Sequence, residues 1–305
     1  MTNQGPPVWR SMLFVPANMP DFIAKAHLRG ADAIILDLED SIPLAEKAAA
    51  RQGLADAAGS VAARGADVVV RINASLRLAA ADLEAVVGAG VRAICVPKVS
   101  GASQLQWISQ SVAELEIEHG LSSGEIGLIA LIESTAALER VREIAGSTPR
   151  LVAMTLGSED FSASAGMVPE ADSLLFPSQQ LVFAARAAGI LPLGFIGSIG
   201  QYSDLDAFRD TIARSYRLGL RGGFCIHPDQ VPIMNAGFAP SPEDVAAAAG
   251  AVAVYEQALA EGRGAAQYRG AMIDAPVVAR AREILASHEK ISSRGGWLMR
   301  QTPGN

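Results

Sequence analysis

LIALIESTAALERVREIA (residues 128–145) and LVAMTLGSEDFSASAG (residues 151–166) decide the fold. In each, a run of apolar and β-branched residues stops at an acid, Glu133 in the first and Glu159 with Asp160 in the second, and a helical pattern follows. A parallel strand reads this way when helices cover its sheet, because neither face meets water. Either acid alone can serve as a helix cap, set against the positive end of the helix dipole. Two carboxylates at the exits of adjacent parallel strands are also the hard-oxygen pair that Mg²⁺ requires when it keeps positions open for substrate oxygens. Gly157 and Ser158, beside them, leave backbone N–H groups free to approach an anion. Glu133 and Asp160 are therefore expected to be metal ligands.

Outward from this stretch, strand and helix patterns alternate along the chain. Strands are expected at residues 11–16, 33–39, 67–73, 93–98, 125–133, 151–157, 191–196 and 222–227. Between them fall helices such as residues 20–29, stopped by Gly30, an alanine-rich one at 43–64 whose Pro43 sits where a helix tolerates it, and one at 102–119. Eight such repeats suit a closed (β/α)8 TIM barrel, whose usual size is about 250 residues. No Gly-rich dinucleotide fingerprint follows the first strand, which argues against an open doubly wound sheet. The barrel is expected over residues 1–235, and residues 236–305 form a C-terminal helical extension and lid. Within the extension, residues 239–262 read as an amphipathic helix, 262–274 as a Gly-containing hinge, 276–288 as a further helix and 291–305 as a loose tail.

Active sites of such barrels lie at the carboxyl ends of the strands. That rule selects Asp37, Glu39 and Asp40 after the second strand, Arg71 and Asn73 after the third, Lys98 after the fourth, and then Glu133 and Asp160. Arg71 has two readings, a fixed cation for a developing negative charge or a structural ion pair with Asp37 or Asp67. Lys47 and Arg51, four apart, are either phosphate contacts or an ordinary solvated helix face. Asp274, just before Pro276, reads on its own as a helix N-cap. His227 reads as a hydrogen-bonding residue at a turn, and the remaining histidines as helix-face residues.

Composition bounds the partners. The chain has 305 residues, half of them hydrophobic, and a formal charge of −7, which suits a large core. It carries no basic-aromatic patch for nucleic acid and no uninterrupted apolar segment long enough for a membrane span. Residues 1–10 lack the apolar core of a signal peptide, so a cytoplasmic location is expected. Cys95 and Cys225 each sit inside an apolar strand pattern and are expected to be inert core thiols.

Eight motifs then carry a resemblance: RSMLFVP, GADAIILDLEDSIPLAEKAAAR, VVVRIN, ICVPK, LIALIES, LGSEDF, FCIHPDQV and MIDAPVVARAREIL, in this order over nearly the whole chain. They resemble citrate lyase β-subunit-like proteins of the HpcH/HpaI aldolase superfamily, which are similar to malyl-CoA and citramalyl-CoA lyases. The resemblance implies a Mg²⁺-dependent TIM barrel that makes or breaks a carbon–carbon bond between an acyl-CoA enolate and a 2-oxo acid, commonly in homotrimers. It implies metal ligation by Glu133 and Asp160 and a catalytic role for Arg71 facing a substrate oxygen. It places Asp37 and Glu39 by the metal waters and Asp274 as an acid/base presented by a neighbouring subunit's lid; Lys98, Lys47 and Arg51 are the candidates to reach CoA phosphates. Three stretches depart from the pattern: LLFPSQQ after the sixth strand, Pro192–Leu193–Gly194 in the seventh and Gly222–Gly223 before the eighth. Each removes a charge, so another thioester, a free acid or an accessory role without independent turnover stays open.

Overall fold

The computed structural model describes residues 7–301, with side chains described up to residue 294. The chain divides into two units, Met1–Phe238 and Ala239–Asn305.

The first unit is built on parallel strands β1 (Ser11–Pro16), β2 (Ala33–Asp37), β3 (Asp67–Arg71), β4 (Ala93–Val96), β5 (Gly127–Ile132), β6 (Leu151–Leu156), β7 (Leu191–Leu193) and β8 (Gly223–Cys225). They form one eight-stranded sheet in the order β7-β6-β5-β4-β3-β2-β1-β8. Two backbone hydrogen bonds close the remaining seam, from Arg221 N–H to the Pro192 carbonyl at 3.0 Å and from Gly194 N–H to the Gly222 carbonyl at 2.8 Å. The result is a nearly closed barrel ringed by helices, the (β/α)8 architecture expected from the strand repeats.

The helices of this unit are α1 (Pro20–Ala26), α2 (Lys47–Gln52), α3 (Leu54–Val61), α4 (Leu76–Val86), α5 (Ala102–Glu118), α6 (Thr135–Glu139), α7 (Val141–Ala145), α8 (Ser158–Ala165), α9 (Ala171–Ala188), α10 (Leu205–Arg217) and α11 (Gln230–Gly237). The single helix expected at residues 43–64 is a short 3₁₀ turn followed by α2 and α3, broken at Gly53. Glycine costs helix stability, and this one separates two helices that bury different residues.

Strand alternation sorts the core into two layers. Met12, Ala33, Ile35, Val69, Ala93, Cys95, Ile129, Leu131 and Ala153 pack together inside the barrel. Their neighbours in sequence, such as Leu13, Ile34, Leu36, Val70, Ile94 and Met154, pack with the helices. Successive strand side chains point to opposite faces, so one run of apolar residues fills both layers. Cys95 is in the inner layer and Cys225 in the outer; both are free and fully buried. Burial raises the Cys95 thiol far above its ordinary range and pushes Cys225 up to about 12, so both are protonated core residues.

Away from the strand exits, ion pairs tie the scaffold. Glu116 accepts from Arg150 Nη1 at 2.7 Å and Nη2 at 2.5 Å, and from the Gly124 and Ile126 amides. Burial works against that carboxylate, but Arg150 and the amides hold it below its usual range.

The second unit packs α12 (Pro242–Ala260), a hairpin of β9 (Ala266–Tyr268) and β10 (Ala271–Ile273), and α13 (Ala275–Gln301) around Ala248, Ala251, Tyr255, Ile273, Val278 and Ala281. The stretch expected to be a hinge is this hairpin. Its turn residues Arg269 and Gly270 have φ of 50° and 80°, the two positive values that a tight turn between twisted strands requires. The tail expected to be loose continues α13 as far as Gln301, because each added residue of a formed helix gains a backbone hydrogen bond; residues 302–305 lie outside those described. Among the described residues no helix is long and apolar enough to cross a membrane.

Gly222, at the start of the seam, is required by space. A Cβ there would stand 1.8 Å from the Trp9 carbonyl oxygen. Gly222→Ala should therefore destabilise the barrel by about 1–3 kcal/mol or more, read as a lower denaturation midpoint, since a backbone neighbour cannot rotate aside. An unchanged midpoint would mean that β1 and β8 approach less closely than the structure shows.

Candidate active site

Asp37 and Arg71 end β2 and β3 and are direct neighbours in the parallel register. Arg71 Nε donates to Asp37 Oδ1 and Nη2 to Oδ2, both at 2.7 Å, so the guanidinium is held at two points. Its central guanidinium carbon, Cζ, lies over the Phe14 ring, 4.7 Å from the centroid. Asp37 also accepts from the Glu39 and Ser41 amides and from the Ser41 hydroxyl. Burial pushes the Asp37 carboxyl up, but Arg71 and these donors outweigh it and hold it below the ordinary carboxylate range. Burial opposes the charge on Arg71 as well, and Asp37 more than compensates, so the guanidinium stays charged. Of the two readings of Arg71 the structure contains the ion pair with Asp37; Asp67 is instead hydrogen-bonded by the Trp9 indole.

Glu39 faces the same side. Its Oε1 is 2.8 Å from Lys98 Nζ, while Oε2 is 3.1 Å from Arg71 Nη1 at an angle that makes no hydrogen bond, and no other described residue donates to it. Burial, followed by the negative charge of Asp40 among the smaller causes, raises the Glu39 carboxyl despite Lys98 and Arg71. Lys98 is non-glycine yet has φ of 49°, a left-handed conformation that side chains rarely adopt. In that conformation its amide donates to Glu133 Oε2 at 2.5 Å while its ammonium reaches Glu39 and Asp40. Burial lowers the Lys98 ammonium, but the two acids raise it further.

Glu133, just past β5, is 7% exposed. Burial, together with the charges of Glu39 and Asp160, pushes it up to about 7. Its side chain lies over Gly157, where a Cβ would come within 2.5 Å of Glu133 Cγ. The glycine is there for room, as its φ of −80° is ordinary. Asp160 sits in the first turn of α8 and makes no cap hydrogen bond, and the cap after β5 is the Ser134 hydroxyl, which accepts from the Ala137 amide. Neither acid is spent as a helix cap.

One cavity of about 410 Å³ collects Asp37, Arg71, Glu133 and Asp160. Among the described residues no group of three or more His, Cys, Asp or Glu side chains forms a metal cage. The donor set nevertheless suits a divalent ion that keeps much of its water. The available donors are hard oxygens, the buried Glu39 Oε2 lacks a hydrogen bond, and the carboxyls of Asp37, Glu39, Glu133 and Asp160 outnumber the cations Arg71 and Lys98.

Two expected phosphate contacts are committed elsewhere, and neither lies on a solvated helix face. Lys47 is buried, its ammonium donating to the Leu38 and Glu39 carbonyls at 2.7 and 2.6 Å, and burial lowers it. Arg51 pairs at 2.6 Å with the fully buried Asp82, which also holds Asn73. The two build the underside of the β2 and β3 loops. Lys98, with 43% of its side chain exposed, is the cation of this group that reaches the surface. Asp274 belongs to the second unit, where Val277 N–H donates to its Oδ1 at 3.3 Å, the N-cap contact its sequence suggests. His227 accepts from the Asp229 amide and stacks on Tyr202, as expected of a turn residue. Sequence reasoning passed over Ser41, Thr155 and the aromatic lining from Phe14, Phe195 and Phe224. Phe14 and Phe224 lie within β1 and β8 and Phe195 just after β7, where an apolar residue in a strand pattern reads equally well as core.

The raised carboxyl of Glu133 has a measurable cost. Below an unfolded value near 4.5 the group is protonated in both states and costs nothing; between there and about 7 the unfolded chain ionises more readily, and the penalty grows to about 3 kcal/mol. In chelator, Glu133→Gln should therefore stabilise the protein more at pH 8 than at pH 5, by about 2–3 kcal/mol in denaturant titrations. An equal effect at both pH values would show that Glu133 titrates normally.

Comparison with known proteins places this geometry. The chain is 34% identical over 286 residues to citrate lyase subunit beta of Escherichia coli K12, covering 92% of this chain and 93% of that one. It is 34% identical over 307 residues to an L-malyl-CoA/beta-methylmalyl-CoA lyase of Cereibacter sphaeroides, covering 93% and 96%. Protein CitE of Mycobacterium tuberculosis, solved in complex with magnesium, acetoacetate and coenzyme A, matches with a TM-score of 0.71 and 30% identity over 95% of this chain and 100% of that one. Residues 10–228, the whole barrel from β1 to the turn after β8, match the HpcH/HpaI aldolase/citrate lyase family, and the chain belongs to it.

Proposed function

We propose that the protein is a Mg²⁺-dependent carbon–carbon lyase that cleaves or forms a 3-hydroxyacyl-CoA, such as citramalyl-CoA or malyl-CoA, with acetyl-CoA and a 2-oxo acid on the other side. The observation that carries the reading is the convergence of Arg71, Glu133 and Asp160 in one cavity with a surplus of carboxylate. Relatives named as L-malyl-CoA/beta-methylmalyl-CoA lyases and a neighbour solved with magnesium and coenzyme A support it.

Glu133 and Asp160 would hold the magnesium ion, with Asp37 and Glu39 at the neighbouring strand exits. When bound, the ion supplies a Lewis acid and a template for the oxygens of the 2-oxo acid. Cleavage moves the substrate hydroxyl proton to Asp274, turns that carbon–oxygen bond into the keto group of the 2-oxo acid, breaks the carbon–carbon bond and leaves its electron pair as a thioester enolate. Arg71 meets that oxygen with N–H donors fixed in advance by Asp37, which is how an enzyme stabilises charge without reorganising. Lys98 contacts a CoA phosphate. Asp274, from the extension of a neighbouring subunit in a homotrimer, delivers the proton to the enolate carbon. The enzyme works in the cytoplasm.

Incubation with malyl-CoA or citramalyl-CoA and Mg²⁺ should release a 2-oxo acid and acetyl-CoA, and chelator should stop it. Retained Mg²⁺ binding without turnover on any such thioester would favour the accessory role. In the active enzyme Arg71→Lys should lower kcat and kcat/KM together by about 10²-fold or more, because a lysine cannot reproduce the fork. A raised KM with kcat unaltered would make Arg71 a ground-state anchor. Exchanging inactive Asp274→Ala subunits with inactive Glu133→Ala subunits should restore activity; verified exchange with none restored would mean that each extension serves its own barrel.

A further inference from the structure

The mouth of the barrel is divided by chemistry. The charged residues lining the cavity, Asp37, Arg71, Glu133, Glu159 and Asp160, follow β2, β3, β5 and β6. The sector made by β7, β8 and β1, contiguous across the seam, contributes Phe22, Phe195, Ile199, Phe224 and Ile226 and no charged side chain, with Phe14 at its border against the Arg71 guanidinium. Much of this wall is fixed before any ligand arrives: Phe14 and Phe224 meet edge to face at 5.3 Å, and Phe195 meets Phe208 in the same way at 5.4 Å. At its rim Phe22 is 55% and Ile226 42% exposed, apolar surface held in water beside a charged site. Gly194 and Gly197 line the β7 side of the cavity.

Resting on the lyase reading above, we infer that the 2-oxo acid this enzyme handles carries a bulky apolar substituent, branched aliphatic or aromatic. Its carboxylate and keto oxygens lie over the β2–β6 half, and its side chain lies against the β7–β8–β1 wall. A minimal acid such as pyruvate fills the charged half and leaves the wall in water.

The test measures binding of free 2-oxo acids in the presence of Mg²⁺ by calorimetry or ligand-observed NMR, using pyruvate, 2-oxobutyrate, 4-methyl-2-oxopentanoate and phenylpyruvate. Burial of each added methylene is worth about fourfold in affinity, so 4-methyl-2-oxopentanoate should bind about tenfold or more tighter than pyruvate. Ile226→Asn and Phe22→Ser, at exposed rim positions, should shrink that ratio, with unaltered circular dichroism confirming the fold. Affinity that is flat or declines along the series while pyruvate binds would overturn this inference alone. Failure of every acid to bind would overturn the lyase reading and this inference with it.

Discussion

The two-pronged pair between Arg71 and Asp37 is the contact on which the site depends. Both are largely withdrawn from water, where removing one partner of such a pair typically costs about 3–5 kcal/mol. The pair does more than neutralise. Asp37 gathers the Glu39 amide and Ser41 and so shapes the loop that presents Glu39. From beneath, Lys47 holds the Leu38 and Glu39 carbonyls, and the Asn73 side-chain amide donates to Leu38 as well. A guanidinium fixed at two points and set over the Phe14 ring has little freedom left to lose when a ligand arrives.

The barrel could be read from the sequence because its signal repeats: an apolar run, an acid or arginine at its exit, then a helical pattern. Asp37, Arg71, Glu133 and Asp160 were found by position alone, since charge at the end of a buried strand has few reasons to exist. Lys47 and Arg51 were misplaced for a physical reason. A four-residue spacing says that two side chains share a helix face, but not whether that face looks outward; Lys47 bonds backbone carbonyls, which sequence does not mark, and the partner of Arg51, Asp82, is thirty-one residues away. The hairpin of the second unit was missed because its turn is Arg269–Gly270 and lacks the Asn-Gly or Asp-Gly signal of such turns. The apolar wall is not legible in the sequence because a phenylalanine in or beside a strand looks like one more core residue until its neighbours are known.

The charged half of the mouth is arranged against its own stability. Glu133 is kept from water beside other acids, and Lys98 adopts a strained backbone conformation to give it a hydrogen bond. Such features persist where the surrounding scaffold over-determines them, and they concentrate at functional sites. Here the surrounding scaffold is the fully buried inner layer of the barrel and the paired ions beneath the loops.

The seam between β7 and β8 has a dynamic consequence. Neighbouring strands elsewhere in the sheet share up to five paired positions, whereas this junction relies on two backbone hydrogen bonds between strands of three residues each. Local opening needs least free energy where fewest bonds break together, so this junction is where amide protons exchange with solvent ahead of the central strands. The seam is thus the least firmly closed side of the barrel, and the aromatic wall flanks it. The charged half stands on the longer strands β2, β3, β5 and β6, so opening of the seam leaves its pairing untouched.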